Sequence, residues 1–234
     1  MENIKPQEGA QQRFMDQEAK EIMLYGGARG GGCNDAVLRL FGTPFNPTLK
    51  EDVRMSDPRE DRLHAKSIRY CIAAHEGQVR RYTGEPYWYH PIAVATLLLE
   101  RADPANVDTH MVCAAHLHDV VEDTVHTLQD IRADFNEDIA ELVKWLTDTS
   151  RPEDGVRAVR KKIDRDRLAE APARAQTIKL ADLIHNSDNI IKHAPKFAKV
   201  YIGEVELLLK VLTKGDVTMY RMLTKIVEEY RGNE

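Results

Sequence analysis

Cysteine is scarce in this chain, and so are long apolar runs, strand patterns and excess positive charge. The cysteines are Cys33, Cys71 and Cys113. They are far apart, odd in number and form no Cys-x-x-Cys pair, which argues against a disulfide framework or a thiolate zinc site. Cys71 and Cys113 fall in apolar helical stretches and are expected to be buried thiols. No run is long and apolar enough to span a bilayer. The start, Met1-Glu2-Asn3-Ile4-Lys5-Pro6, lacks the apolar centre of a signal peptide. The expectation is a cytoplasmic, reduced protein. A formal net charge of -5 argues against a general nucleic-acid or membrane-surface binder. What is present is ample core material. Hydrophobic residues make up 42% and charged residues 30% of 234 residues, which fits one domain with an extension or at most two small domains.

The first part of the chain differs from the rest. Residues 1–55 read as an extension and 56–234 as the main domain. Gln11 to Tyr25 can form a helix. Gly26-Gly27-Ala28-Arg29-Gly30-Gly31-Gly32-Cys33-Asn34 resembles the phosphate loop of P-loop NTPases, whose backbone N–H groups cradle phosphates. Cys33 stands where Lys belongs and Asn34 where Ser or Thr belongs, so the other reading is a glycine-rich loop without phosphate chemistry. Asn46-Pro47 and Asp57-Pro58 mark a linker, and Met55 is a second candidate start.

From Arg59 onward the apolar spacing is helical. Leu63, Ile68, Cys71, Ile72 and Ala74 form one face, and Gly77 can stop that helix. A basic, turn-rich loop runs from Gln78 to Tyr89. His90-Pro91 begins the next helix, since proline suits a first turn. Asp108 is a plausible cap for the helix through Leu117. Thr127 and Asp130 form a capping box for a short helix to Phe135. Further helices are expected over 138–147, 157–170, 175–191 and 195–212, and from Asp216 to about Tyr230. The helix over 175–191 has a nearly continuous apolar middle and should be central. The fold class is all-α, with connections of typical bundle length and no strand or internal repeat.

Four of the six residues in His118-Asp119-Val120-Val121-Glu122-Asp123 can bind metal or move protons. They follow a buried apolar run, where an unpaired carboxylate needs a cation or hydrogen bonds in return for lost hydration. The bland alternative is a helix end turning polar at the surface. His90, His118, Asp119 and Asp182 are the candidate ligands, and imidazole with carboxylate suits manganese, iron, zinc or magnesium. Asp182 lies among Ile178, Leu180, Ala181, Leu183 and Ile184, and Asn186 follows it at i+4 on the same face. Among the other histidines, His75 is expected to orient its loop. His116 should face away from His118, and His185 is a core residue or a neighbour of the site. His64, His110, His126 and His193 read as surface residues.

These residues carry a family resemblance. His75-Glu76-Gly77-Gln78, Arg80, Pro86-Tyr87, His90-Pro91, His118-Asp119-Val120-Val121-Glu122-Asp123-Thr124 and Lys179-Leu180-Ala181-Asp182 with Asn186 resemble the HD-type hydrolase domain of the Rel/SpoT proteins. The resemblance is to its small, hydrolase-only form, as in the metazoan SpoT homologue, and runs from about Arg59 to about Leu212. It implies an all-helical HD-domain bundle that hydrolyses the alarmone (p)ppGpp at its 3′ diphosphate, usually with Mn2+. It implies metal ligation by His90, His118, Asp119 and Asp182, and water handling by Glu122 and Asp123. Arg80 matches the residue that stacks on the base, Arg81 stands where the family often has Lys, Asn186 matches a nucleoside contact, and Tyr201 matches a substrate-side tyrosine. The partner implied is a small nucleotide, with no nucleic acid or membrane. Too little chain follows the HD region for a synthetase domain.

The resemblance has departures. Tyr82-Thr83 stand where the family has a Ser soon after its basic pair, Trp88 and Tyr89 are bulky before the ligand His, and Asp188 stands where the family commonly has Arg. An anion facing a polyphosphate would weaken its binding, which keeps open another substrate such as the 2′-phosphate of NADPH. A module that binds an alarmone without cleaving it is the third reading. The complete Glu122-Asp123 pair argues against it, since a sensor needs no water-handling residues.

Overall fold

Polar caps fix where the helices begin, and apolar stripes fix how they pack. In the computed structural model, which describes residues 58–233, the chain winds through α1 (Pro58–Ala74), α2 (Tyr89–Arg101), α3 (Thr109–Leu117), the single turn α4 (Val120–Asp123), α5 (Leu128–Asp134), α6 (Glu137–Leu146), α7 (Arg157–Glu170), α8 (Ala173–His193), α9 (Pro195–Leu209) and α10 (Val217–Gly232). The glycine-rich stretch, the expected helix over 11–25 and the linker proline at 47 lie outside the described residues. Among the described residues the only β pairing is an isolated antiparallel bridge between Val79 and Pro86. None of their helices is long and apolar enough to cross a membrane.

The caps follow side-chain chemistry. Asp108 accepts from the Met111 N–H at the start of α3, and Asn136 accepts from Ile139 N–H at the start of α6. Thr127 and Asp130 make the reciprocal capping box of α5. Asp216 takes the N–H groups of Thr218 and Met219 at the head of α10. Gly77 closes the turn after α1 with φ +75°, a backbone conformation costly for any residue with a Cβ.

Helix α8 is the axis of the bundle. It packs against α2, α3, α6, α9 and α10, and Ala175, Ile178, Leu180, Ala181, Leu183 and Ile184 along it are buried. Full burial of each large aliphatic side chain contributes roughly 1.5–3 kcal/mol relative to exposure. The turn before α10 approaches α8 so closely that a Cβ on Gly215 would lie 2.7 Å from Leu180 Cδ1. Helix α9 ends at Leu209 and not at the expected Leu212. Leu212 still packs in the core, but the chain has already turned towards α8. The thiols of Cys71 and Cys113 are buried and free.

Candidate active site

The functional side chains meet where α2, the α3–α4 junction and α8 converge. His90 sits in the first turn of α2, His118 is the C-terminal cap of α3, Asp119 heads α4, and Asp182 is in the middle of α8. Packing of α8 against α2 and α3 brings them together over more than ninety residues of chain. His90 Nε2 lies 3.1 Å from Asp182 Oδ1 and 3.6 Å from Asp119 Oδ2. His118 Nε2 lies 3.1 Å from Asp119 Oδ1 and 3.8 Å from Asp182 Oδ1. Ligand atoms of His90, His118 and Asp119 all fall within 4.8 Å of one another, a group that could hold a metal ion. These are separations of neighbouring ligands around one ion bound at about 2.1 Å.

The hydrogen bonds around the rings favour a cation. His118 Nδ1 is 2.8 Å from the Ala115 carbonyl oxygen. A carbonyl only accepts, so Nδ1 carries a proton. Burial works to lower the His118 pKa, but Asp119 and Asp182 outweigh it and hold it well above its ordinary value, so Nε2 takes up a proton too when no other cation lies between them. That Nε2 is buried and, despite two carboxylates nearby, forms no hydrogen bond. A positive charge among these carboxylate oxygens is favourable, as a proton on Nε2 or as a metal ion held by Nε2 and the carboxylates in its place. His90 is oriented in the same way, with its Nδ1 2.8 Å from His185 Nδ1. Burial, then His90 and Arg80, push the His185 imidazole down to about 3. His185 is thus neutral and can accept from His90 through Nδ1, leaving His90 Nε2 for the cluster. The His/Asp group is chemically suited to a divalent metal ion.

The surrounding groups are held tightly. Asp119 Oδ2 accepts from the Tyr87 hydroxyl at 2.8 Å. Asp182 accepts from Asn186 Nδ2 at 2.6 Å and from Lys179 Nζ at 2.7 Å. Burial works to lower the Lys179 ammonium, but Asp182 outweighs it and holds the pKa above its ordinary value. Arg80 donates to Asn186 Oδ1 at 3.0 Å and lies over the Tyr87 ring.

A cavity of about 190 Å³ opens beside the cluster, lined by Tyr87, His90, Asp119, Glu122, Asp182, Asn186 and Tyr201 on one side and by α7 on the other. Glu122 reaches it with a carboxylate that accepts from the Asp148 N–H at 3.0 Å. The residue is exposed as a whole, yet local burial at its carboxylate, with Asp148 beside it, raises its pKa to about 7. The Tyr201 hydroxyl is buried at the cavity and lies near Ser187 without hydrogen-bond geometry. Asp123 is exposed and outside the cavity lining, as is Arg81, which lies over the Tyr82 ring. Asp188, expected to face a phosphate, is exposed and does not line the cavity either. It lies two residues beyond Asn186, about 200° round the helix.

Sequence reasoning missed the far wall. Arg157, Lys161 and Arg165 of α7 line the cavity, and their i, i+4, i+8 spacing was the available signal for one cationic face. It also missed the pairings of Tyr87 and His185. His64 and His126 are not simple surface residues. His64 stacks on the buried His116, which bonds Ser67, and His126 bonds Tyr70.

Comparison with known proteins agrees with this geometry. The HD domain family matches residues 67–202. The chain is 39% identical over 197 residues to the bifunctional (p)ppGpp synthase/hydrolase SpoT of Escherichia coli K12, covering 74% of this chain and 27% of that protein. It is 30% identical over 190 residues to a probable guanosine-3′,5′-bis(diphosphate) 3′-pyrophosphohydrolase of Mycoplasma pneumoniae, covering 77% of this chain and 25% of that protein. A GTP pyrophosphokinase of Streptomyces coelicolor is 34% identical over 174 residues, or 68% of this chain and 20% of that protein. The chain thus spans about a fifth to a quarter of the length of these relatives. Among solved structures, a metazoan ortholog of SpoT that hydrolyzes ppGpp superposes with a TM-score of 0.65 at 25% identity, covering 72% of this chain and 95% of that one. With the family matched over most of the described helices and its histidines and aspartates gathered at one point, the chain belongs to the HD-domain family, with SpoT-type proteins among its relatives.

Proposed function

We propose that this chain is a cytoplasmic, metal-dependent nucleotide phosphohydrolase, and that its substrate is (p)ppGpp, cleaved at the 3′ diphosphate. The observation that carries the reading is the gathering of His90, His118, Asp119 and Asp182 within ligand distance of one another next to a cavity that α7 closes. His90, His118, Asp119 and Asp182 would hold the metal, Mn2+ in this reading. When bound it supplies Lewis acidity, lowering the pKa of water and neutralising phosphoryl charge.

The chain's own residues do the rest. Glu122, whose carboxyl sits near neutrality, accepts the proton of the attacking water. Water's oxygen forms the new bond to the phosphorus attached to the 3′ oxygen, that ester bond breaks, and the leaving 3′ oxygen takes up a proton from solvent water. The products are the 5′ nucleotide with a free 3′ hydroxyl, and pyrophosphate. Asp123, outside the cavity lining and beside Tyr87 and Asp119, is not the base. Arg165 places positive charge along the polyphosphate, and Arg157, Lys161 and Lys179 add to it from their pairings with Glu204, Asp148 and Asp182. Arg80, hydrogen-bonded to Asn186, presents its guanidinium to the base, and Asn186 and Tyr201 contact the nucleoside. Arg81, exposed, acts at the rim. The position of Asp188 removes the ground for preferring a different nucleotide. The test is a panel of ppGpp, pppGpp, GTP and NADPH with manganese. The reading expects pyrophosphate from ppGpp at the highest kcat/KM. Binding of ppGpp without hydrolysis under every divalent metal would make the chain a binding module instead.

A further inference from the structure

Glu122 does not hold its position alone. It accepts from the backbone N–H of Asp148, in the segment 147–150 that follows α6. The next N–H groups along that segment go elsewhere. Those of Thr149 and Ser150 both donate to Asp164 Oδ1, at 2.9 and 3.0 Å, and the Ser150 hydroxyl donates to Asp164 Oδ2 at 2.6 Å. Three successive backbone donors are therefore divided between two carboxylates that both line the cavity, Glu122 after α3 and Asp164 on α7. Asp164 is only 5% exposed. A buried carboxylate without its own salt bridge is retained where its hydrogen bonds are needed. Two further ties run from α7 to the same segment. Lys161 Nζ pairs with Asp148 Oδ2 at 2.7 Å, and Arg167 Nη1 donates to the Thr147 carbonyl at 2.8 Å.

We infer that Asp164 is a positioning residue for the hydrolytic step: it fixes the 147–150 segment so that the Asp148 N–H holds the Glu122 carboxylate in the cavity. The inference rests on the proposed function, because it assigns Glu122 the water. The mechanism is indirect. Without Asp164, the Thr149 and Ser150 donors turn to solvent, the segment loosens, and the Asp148 N–H no longer points steadily at Glu122. Misplacement of a base by a fraction of an ångström is felt in the chemical step more than in substrate binding. The cluster formed by His90, His118, Asp119 and Asp182 receives no hydrogen bond from this segment, so metal binding should be unaffected.

The experiment uses the full chain with manganese and ppGpp, and measures kcat, KM and bound metal separately. Asp164→Ala should lower kcat about tenfold or more while KM and metal content stay within about twofold. Asp164→Asn keeps an acceptor for both N–H groups and should recover most of the loss. Ser150→Ala, which removes one of the three bonds and leaves Asp164 in place, should give a smaller fall, again in kcat; it serves if Asp164→Ala does not fold. In a Glu122→Gln background Asp164→Ala should cost little more, because both changes act through one group. Losses that multiply across that pair, a fall seen only in KM, or folded Asp164 and Ser150 variants with wild-type kcat would overturn the inference. A wild-type chain that turns over no ppGpp would remove the proposed function, and this inference falls with it.

Discussion

A ligand is only as good as the atom that aims it. His185 Nδ1 lies 2.8 Å from His90 Nδ1, and by accepting its proton would present a bare His90 Nε2 to a metal beside Asp119 and Asp182. Partners of this kind typically contribute 10–100-fold in metal affinity. His185→Ala should therefore weaken manganese binding by roughly that factor, read by titration of the metal-free chain; an unchanged affinity would show that His90 needs no such support. Glu122→Gln keeps the side chain's shape but removes the base. It should still bind ppGpp and metal, with hydrolysis down by roughly 10²–10⁴-fold. Retention of wild-type turnover would move the base elsewhere. Asp188→Arg should leave ppGpp kinetics within about twofold, since Asp188 lies outside the cavity lining; a large fall in KM would place it against the substrate after all. The four candidate ligands were legible in the sequence because a carboxylate among apolar neighbours asks for a cation. The aiming hydrogen bonds were not, because Tyr87 and Asp119, or His90 and His185, are joined only by the packing of separate helices.

At the level of helices, Arg174 shows how elements are tied. It donates to Asp108, the cap of α3, and to both oxygens of Asp138 in the first turn of α6. The Arg174 hydrogen bond, working against burial and helped by a hydrogen bond from His110, draws the Asp138 carboxyl down to about 2. A depressed acid stabilises the fold above its unfolded value near 3.9 and loses that contribution as pH falls through its folded value. The side chain is about half exposed, so solvent screening limits the contribution to ~1 kcal/mol or less. Arg174→Gln should thus lower stability by that order at pH 7 in urea unfolding, and the difference should shrink towards pH 3. A difference that does not change with pH would mean that Arg174 acts by packing. Helix starts were legible where Asp108, Thr127 and Asp216 could cap them, whereas the Asn136 cap of α6 was not. Nor was the role of α7. Its 157, 161, 165 stripe reads as a solvated face until the fold turns it towards Asp182.

For the whole molecule, the HD family match covers residues 67–202, and the His/Asp cluster and cavity lie among the described residues from Pro58 onward. A chain starting at Met55 should fold and keep full turnover, measured by circular dichroism and ppGpp hydrolysis. A large loss of either would show that residues 1–54 complete the domain. The all-helical class was readable because the apolar period of 3.6 runs through every segment, whereas the convergence of α2, α3 and α8 depends on packing that no local pattern records. The most direct measurement compares manganese content and pyrophosphate release from ppGpp for the wild-type chain and for His118→Ala, both checked for helical content. The account predicts bound manganese and release by the wild type, and loss of both in the variant with its helices intact. Equal metal content and equal release in the two would contradict it.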